Sequence, residues 1–277
     1  MKIRILMLSL MGVIFFNSCS SDSNSSDSNS NNSTSQNLDP NTILPKKIIG
    51  EGINGDNFFE FFYNQNKINY IQLGEEFGVN TLKCYFTYTG NLITKIQFGE
   101  SGQELGFIDF TYQNNKLVNR KSTLFASSNG GPVETFISEV EYVYNSNNTI
   151  SVSSNGILKT TYTLSSDQSY IDRKDGGFIN YSSTSSPFKN VLGIKEAFLD
   201  LGYNFSSDFE LIFFNTLFSS TTRNIISITP FPGGLIFADV HFSYAYNELL
   251  FPNTIIRFYG SVYGVPKYER TYNIFYQ

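Results

Sequence analysis

The chain predicts an all-β fold: a single antiparallel meander of hairpins forming a large curved or partly closed sheet, with a short two-helix insertion near residues 190–218. Three observations lead there. Phe (27) and Tyr (18) are abundant, Trp is absent and charged residues are only 16% of 277, a composition suited to pleated, half-buried surfaces. An aromatic strand, an Asn- or Gly-containing turn and a β-branched strand recur as a unit along the chain. Further turn signals at Ser101-Gly102, Asn129-Gly130-Gly131-Pro132, Asn155-Gly156, Asp175-Gly176-Gly177 and Pro232-Gly233-Gly234 cut the rest into short strands joined to their sequence neighbours.

The first segment, residues 1–18, reads as a lipoprotein signal peptide. Lys2 and Arg4 precede an apolar run from Ile5 to Phe16, and Phe16-Asn17-Ser18-Cys19 closes it with a small residue before a cysteine. The run is 12 residues, whereas a bilayer core needs roughly 20, so cleavage rather than a permanent span is expected. Cys19 is the lipidation site this pattern implies; acylation there supplies more than one chain, which stable anchoring requires. Residues 19–44 follow as a lipid-anchored tether. Positions 20–37 contain only Ser, Asn, Asp, Thr and Gln, a composition that cannot offset chain entropy by packing. A flexible tract of that length holds the folded part roughly 25 Å from the lipid.

Residues 45–277 form the β-rich domain, large enough for one core. The hairpin unit appears as Phe61-Phe62-Tyr63-Asn64-Gln65-Asn66-Lys67-Ile68, Phe86-Thr87-Tyr88-Thr89-Gly90-Asn91-Leu92-Ile93, Phe110-Thr111-Tyr112-Gln113-Asn114-Asn115-Lys116-Leu117, Tyr142-Val143-Tyr144-Asn145-Ser146-Asn147-Asn148-Thr149-Ile150 and Phe242-Ser243-Tyr244-Ala245-Tyr246-Asn247-Glu248-Leu249. Aromatics pair across strands, and Asn and Gly tolerate the positive φ of a tight turn. Tyr63, Tyr88, Tyr112 and Tyr144 are spaced 25, 24 and 32 residues apart.

The stretch Tyr88-Thr89-Gly90-Asn91-Leu92-Ile93-Thr94-Lys95-Ile96 resembles a worn YD repeat, the aromatic hairpin unit of Rhs-type surface proteins. Together with the serine-rich tether, the chain resembles small Bacteroidetes-type cell-envelope lipoproteins, some of whose domains are porin-like in fold. The repeat's Asp is replaced by Asn64, Thr89, Gln113, Asn145 or Asn247, and five imperfect copies are fewer than the closed shell of a long Rhs array needs. The resemblance therefore implies architecture and envelope location, and no toxin-like activity.

One segment leaves the β pattern. Val191, Ile194, Phe198 and Leu201 recur at helical spacing, and Ser207-Asp208-Phe209-Glu210 is a capping box before Leu211, Ile212, Phe213, Phe214 and Leu217, so two short helices are expected, covering one face or end of the sheet. From Leu235 to Tyr246 alternation returns, with Ile236, Ala238, Val240, Phe242, Tyr244 and Tyr246 on one face and Asp239, His241 and Ser243 on the other, as in a sheet with one wet side.

No catalytic, cofactor-binding or metal-binding set emerges, and the sequence is read as non-enzymatic with no cofactor. His241 is the single histidine, placed by alternation on a polar strand face. Cys84 lies on the apolar face with Leu82, Phe86 and Tyr88 and reads as a buried thiol that resists reagents. Asp172-Arg173-Lys174-Asp175-Gly176 lacks the oxygen spacing of a calcium loop and reads as a hairpin turn. A carboxylate pair of the glycosidase kind cannot be chosen from the 24 acidic residues. Net charge is -5, and loss of Lys2 and Arg4 with the signal makes the mature chain more acidic still, which argues against nucleic acid.

The function expected is that of a non-catalytic, outer-membrane-anchored envelope lipoprotein, attached through lipid on Cys19, whose β domain serves surface or partner binding. A glycan-binding or glycan-hydrolysing surface lipoprotein is the alternative, since exposed Tyr can stack on sugars, although absent Trp weakens it. The partner is thus a glycan or an envelope protein. Ser21-Asp22-Ser23 half-matches an acidic export tag and favours the cell surface over the periplasmic face. A transmembrane barrel requires strands of roughly 9 to 11 residues with an apolar outside. If the sheet closes, the apolar face is expected inward.

Overall fold

The structure is a computed structural model describing residues 39–52, 55–75, 81–100, 102–127, 133–168, 170–175, 177–199, 223–229, 240–259 and 268–277. It contains β1 (Pro45–Gly52), β2 (Gly55–Asn64), β3 (Lys67–Glu75), β4 (Thr81–Thr89), β5 (Leu92–Glu100), β6 (Gln103–Gln113), β7 (Lys116–Ser127), β8 (Val133–Tyr144), β9 (Thr149–Ser154), β10 (Ile157–Leu164), β11 (Ile171–Lys174), β12 (Gly177–Ser185), α1 (Ile194–Ala197), β13 (Arg223–Thr229), β14 (Val240–Tyr246), β15 (Pro252–Tyr259) and β16 (Tyr268–Tyr276). Every strand pairs antiparallel with the next, and β1 pairs with β16, so the sheet is a closed up-and-down barrel. Closure corrects the expectation of a curved or partly closed sheet. It rests on Lys47–Gly50 meeting Tyr272–Phe275, a contact between distant ends of the chain that no local pattern encodes. The first helix of the expected insertion is shorter than its spacing suggests, α1 having four residues, and the second, the capping-box segment from Ser207, lies outside the described residues.

Hairpins form where the turn chemistry allows them. Gln65, Asn114, Asn115 and Asn155 carry φ of 55°, 52°, 61° and 51°, and Gly90 and Gly156 carry 59° and 74°, the left-handed values that Asn and Gly accommodate best. Register shifts at Phe62/Tyr63, Thr87/Tyr88 and Thr111/Tyr112 place a bulge just before three of these turns. All three lie at one end of the barrel, here the lower end, where Gln277 donates its backbone N–H to Leu44 and Ile43 and Leu44 are buried.

Five tyrosines share one contact. Tyr63 Oη donates to Pro45 O (2.8 Å), Tyr112 to Ile93 O (2.8 Å), Tyr181 to Ile171 O (2.5 Å), Tyr244 to Ile225 O (2.6 Å) and Tyr276 to Pro252 O (2.6 Å). Tyr88 Oη instead accepts from Ile68 N at 3.1 Å. In each case an even-numbered strand is latched to the first residues of the odd strand before it. The hydroxyl satisfies a backbone group where the ladder is interrupted or beginning.

Period-two alternation sorts the wall. Ile68, Ile71, Ile93, Ile96, Ile108, Leu117, Ile150, Tyr162, Ile171 and Ile225 are essentially sealed inside, joined by Phe59, Phe61, Phe86, Phe98 and Phe110. Sixteen strands would ordinarily enclose an aqueous channel. Here the segment after β12 enters the lower end. Phe188 packs on Phe61 with centroids 5.6 Å apart, Phe198 meets Phe110 edge-on at 6.2 Å, and Val191, Ile194 and Ala197 are buried beside them. Gly193 is what lets this plug seat: at φ 77°, a Cβ there would stand 2.8 Å from Asn91 O and 2.9 Å from Ile93 N. Asn190 Nδ2 donates to Pro40 O (2.7 Å) and Ile43 O (2.9 Å), and Leu192 N donates to Asn66 O (2.9 Å), which ties the plug to the turns around it.

Candidate functional site

Of the residues the sequence singles out, Cys19 and Asp239 lie outside the described residues. Cys84 is inside the barrel, opposite Ile71 and Phe98 and 2% exposed; burial pushes its thiol up to about 12. His241 stands exposed on β14, on the outer face, away from Cys84. Asp175 is a turn residue whose carboxylate accepts from Thr160 Oγ1 (2.6 Å) and Thr161 N (2.8 Å), while its own N–H donates to Thr161 O (2.9 Å). The structure does not bring these residues together. The surface that could meet a partner is built instead from outward-facing side chains.

Cross-strand register arranges them in transverse rows. Phe62, Tyr70, Tyr85, Gln97, Phe107, Thr123 and Ile137 are successive partners across β2 to β8. A second row, Thr87, Lys95, Asp109, Lys121 and Glu139, alternates in sign after its first member, with Lys95 Nζ 4.0 Å from Asp109 Oδ1. A third, Phe275, Lys47, Glu60, Gln72 and Lys83, runs across β16 to β4. Several aromatic faces in these rows are already engaged. Phe62 stacks on Tyr70 at 4.2 Å and 12°, Lys83 Nζ lies 5.5 Å from the Tyr70 centroid, and Lys95 Nζ lies 4.0 Å from that of Phe107. Rings occupied by neighbours and cations offer little open face to a sugar, and the stacking platform that the glycan alternative needs is reduced to rings such as Phe275, 50% exposed.

The upper rim shows a feature the sequence reading missed. β8 has twelve residues and β9 six. Along β7, β8 is paired from Val133 to Glu141 without a register shift, but along β9 it is paired only from Val140 to Tyr144. Val133–Glu139 is therefore an open edge among the described residues. Phe136 and Ile137 on it are 49% and 60% exposed, and Ile157 and Leu158 at the start of β10 are 61% and 60% exposed. The signal was present as a length mismatch: VETFISEVEYVY is followed by only TISVSS before the Asn155-Gly156 turn.

No protein-family profile matches the chain, and no curated protein does. Among solved structures it is similar to a porin-like protein from Bacteroides vulgatus ATCC 8482, at 14% identity over 84% of this chain and 98% of that one, with a TM-score of 0.48. It is also similar to a porin-like protein from Bacteroides uniformis ATCC 8492, at 13% identity over 80% and 77% of the two chains and a TM-score of 0.35. A chain of the Photorhabdus luminescens Tc holotoxin pore is similar at 12% identity over 74% of this chain and 11% of that one, with a TM-score of 0.25.

Proposed function

We propose that this is a non-catalytic envelope lipoprotein, moored through lipid on Cys19, whose barrel stands in water and offers its outer wall and rim to a partner. One observation carries the reading: the sealed side chains of the closed sheet are, Arg120 apart, largely apolar, and a belt of charged side chains stands on its outside. Strand length alone would permit a membrane span, since β2 to β8 run 9 to 12 residues. Sidedness supports the other reading. Lys95, Lys121, Asp109 and Glu139 occupy one belt of the outer wall, and a Lys there costs roughly 2–4 kcal/mol at a bilayer midplane. The signal pattern and tether then supply the membrane attachment that the wall does not.

The test is mass spectrometry of the mature N-terminus together with fractionation of the full chain. Lipid on Cys19 is expected, with the protein in the membrane fraction and Cys19→Ala moving it to the aqueous fraction. A Cys19→Ala chain that still resists carbonate extraction would mean the barrel itself enters the bilayer. Protease shaving of intact cells then distinguishes the cell surface from the periplasmic face.

A further inference from the structure

We propose that the upper edge of β8, Val133–Glu139, is a strand-addition site for an extended cationic segment of another polypeptide. The inference rests on the barrel standing in water, as proposed above, and names the chemistry of its partner. An open strand edge presents backbone N–H and C=O groups that another extended chain can pair in full, and proteins usually blunt such edges with Lys, Pro, bulges or covering side chains. Among the described residues this edge has no Lys, Arg or Pro, no register shift in its ladder with β7, and only Glu134 and Glu139 as charged side chains. The next step of the same rim is treated differently. There β10 extends past β11, and the Asp175 carboxylate occupies Thr160 Oγ1 and Thr161 N. One edge is capped and the other is left open.

The open stretch would span roughly 23 Å, enough for a guest strand of ordinary length. Alternation gives that guest two sides. Phe136, opposite Leu124, faces the core side, as does Ile157; Ile137, opposite Thr123, faces outward, as does Leu158. A guest with apolar residues at alternate positions would set them against one of these pairs and turn its charged residues to the other face. Charge selects the guest further. Glu134, Glu139 and Glu141 are the charged residues of β8, with no cation on the strand. A second copy paired edge to edge over Val133–Glu139 would gather four carboxylates along one seam, of which Glu139 also accepts from Asn119 Nδ2 of its own chain, whereas a Lys- or Arg-bearing strand complements them.

The probe is a fluorescent ten-residue peptide alternating Lys and Val, titrated against the full chain by anisotropy, with amide exchange to locate it. The expected result is saturable binding that slows exchange across Val133–Glu139. Replacing Lys by Glu in the peptide, or placing Pro at its centre, should weaken binding at least about tenfold. Ile137→Lys on the protein should do the same, and because Ile137 is 60% exposed the variant should fold normally. Gln97→Lys, in the same outer row but inside the ladder, should bind like the parent. Unprotected Val133–Glu139 amides, indifference to Ile137→Lys, or sedimentation showing β8-dependent dimers without peptide affinity would each overturn the proposal. The assay does not depend on the lipid. Peptide failure beside lipidated Cys19 removes the strand site alone, and peptide binding beside an unmodified Cys19 removes the mooring alone.

Discussion

Cys84 is held by neighbours on three strands of the wall, with Ile71 and Phe98 opposite it and Phe86 following on the same face. Its surroundings are apolar, so the thiolate is disfavoured, and the thiol sits at about 12. Native protein at pH 8 should therefore leave Cys84 unmodified by a thiol reagent over hours, with full labelling once denaturant is added. Labelling of the native state at the rate of a free cysteine would contradict the packing around it. This residue was readable in advance because Leu82, Cys84 and Phe86 alternate with Lys83 and Tyr85 in the sequence itself. The engagement of Phe107 by Lys95 was not, since the two are brought together by the β5–β6 pairing and not by spacing along the chain.

At the scale of the hairpin, the tyrosine latch explains why Tyr recurs before the lower turns where Phe would pack equally well. The hydroxyl of Tyr112 reaches Ile93 O at 2.8 Å, and Tyr112→Phe should cost roughly 0.5–1.5 kcal/mol in urea unfolding, the worth of one such bond. The latches also give the barrel an alkaline limit. Burial raises Tyr63 well above the ordinary phenol range, with the Tyr88 and Tyr276 hydroxyls adding to it, and burial likewise raises Tyr88, Tyr112 and Tyr276. A group whose folded pKa lies above its unfolded one contributes stability that is intact below the unfolded value and is lost as pH climbs toward the folded value. Stability should thus be insensitive to these tyrosines up to about pH 10 and fall above it. Tyrosinate absorbance should rise together with loss of the β signal in circular dichroism; buried tyrosines ionising at pH 10 in a fully folded barrel would refute the latch. Turn chemistry made these hairpins legible: Asn114, Asn115, Gly90 and Asn155 mark them by residue type alone. The plug was half legible, because helical spacing at Val191, Ile194 and Phe198 identifies residues that are indeed buried, but four helical residues between turns suffice to bury them.

For the barrel as a whole, the governing fact is that its lumen is its core. Closure brings β1 to β16, a pairing between the two ends of the domain that hairpin patterns are blind to, and the filling of the enclosed space comes from a segment after β12 that the alternation of the walls does not announce. Phe188 is the test of that filling, being 1% exposed and packed at a tilt against Phe61. If the lumen is a packed core, Phe188→Ala removes contacts with no solvent path to compensate and should cost about 3–5 kcal/mol. For a domain of this size each kcal/mol lowers Tm by roughly 2–4 °C. If instead the lumen were a conduit, the same truncation would widen it at little cost and raise ion flux. Thermal melts of the full chain should show the large loss, and planar bilayers exposed to parent or variant should show no conductance. A Phe188→Ala chain that melts like the parent and conducts would return the barrel to the membrane, because an apolar plug that can be cut without penalty is not holding the walls together.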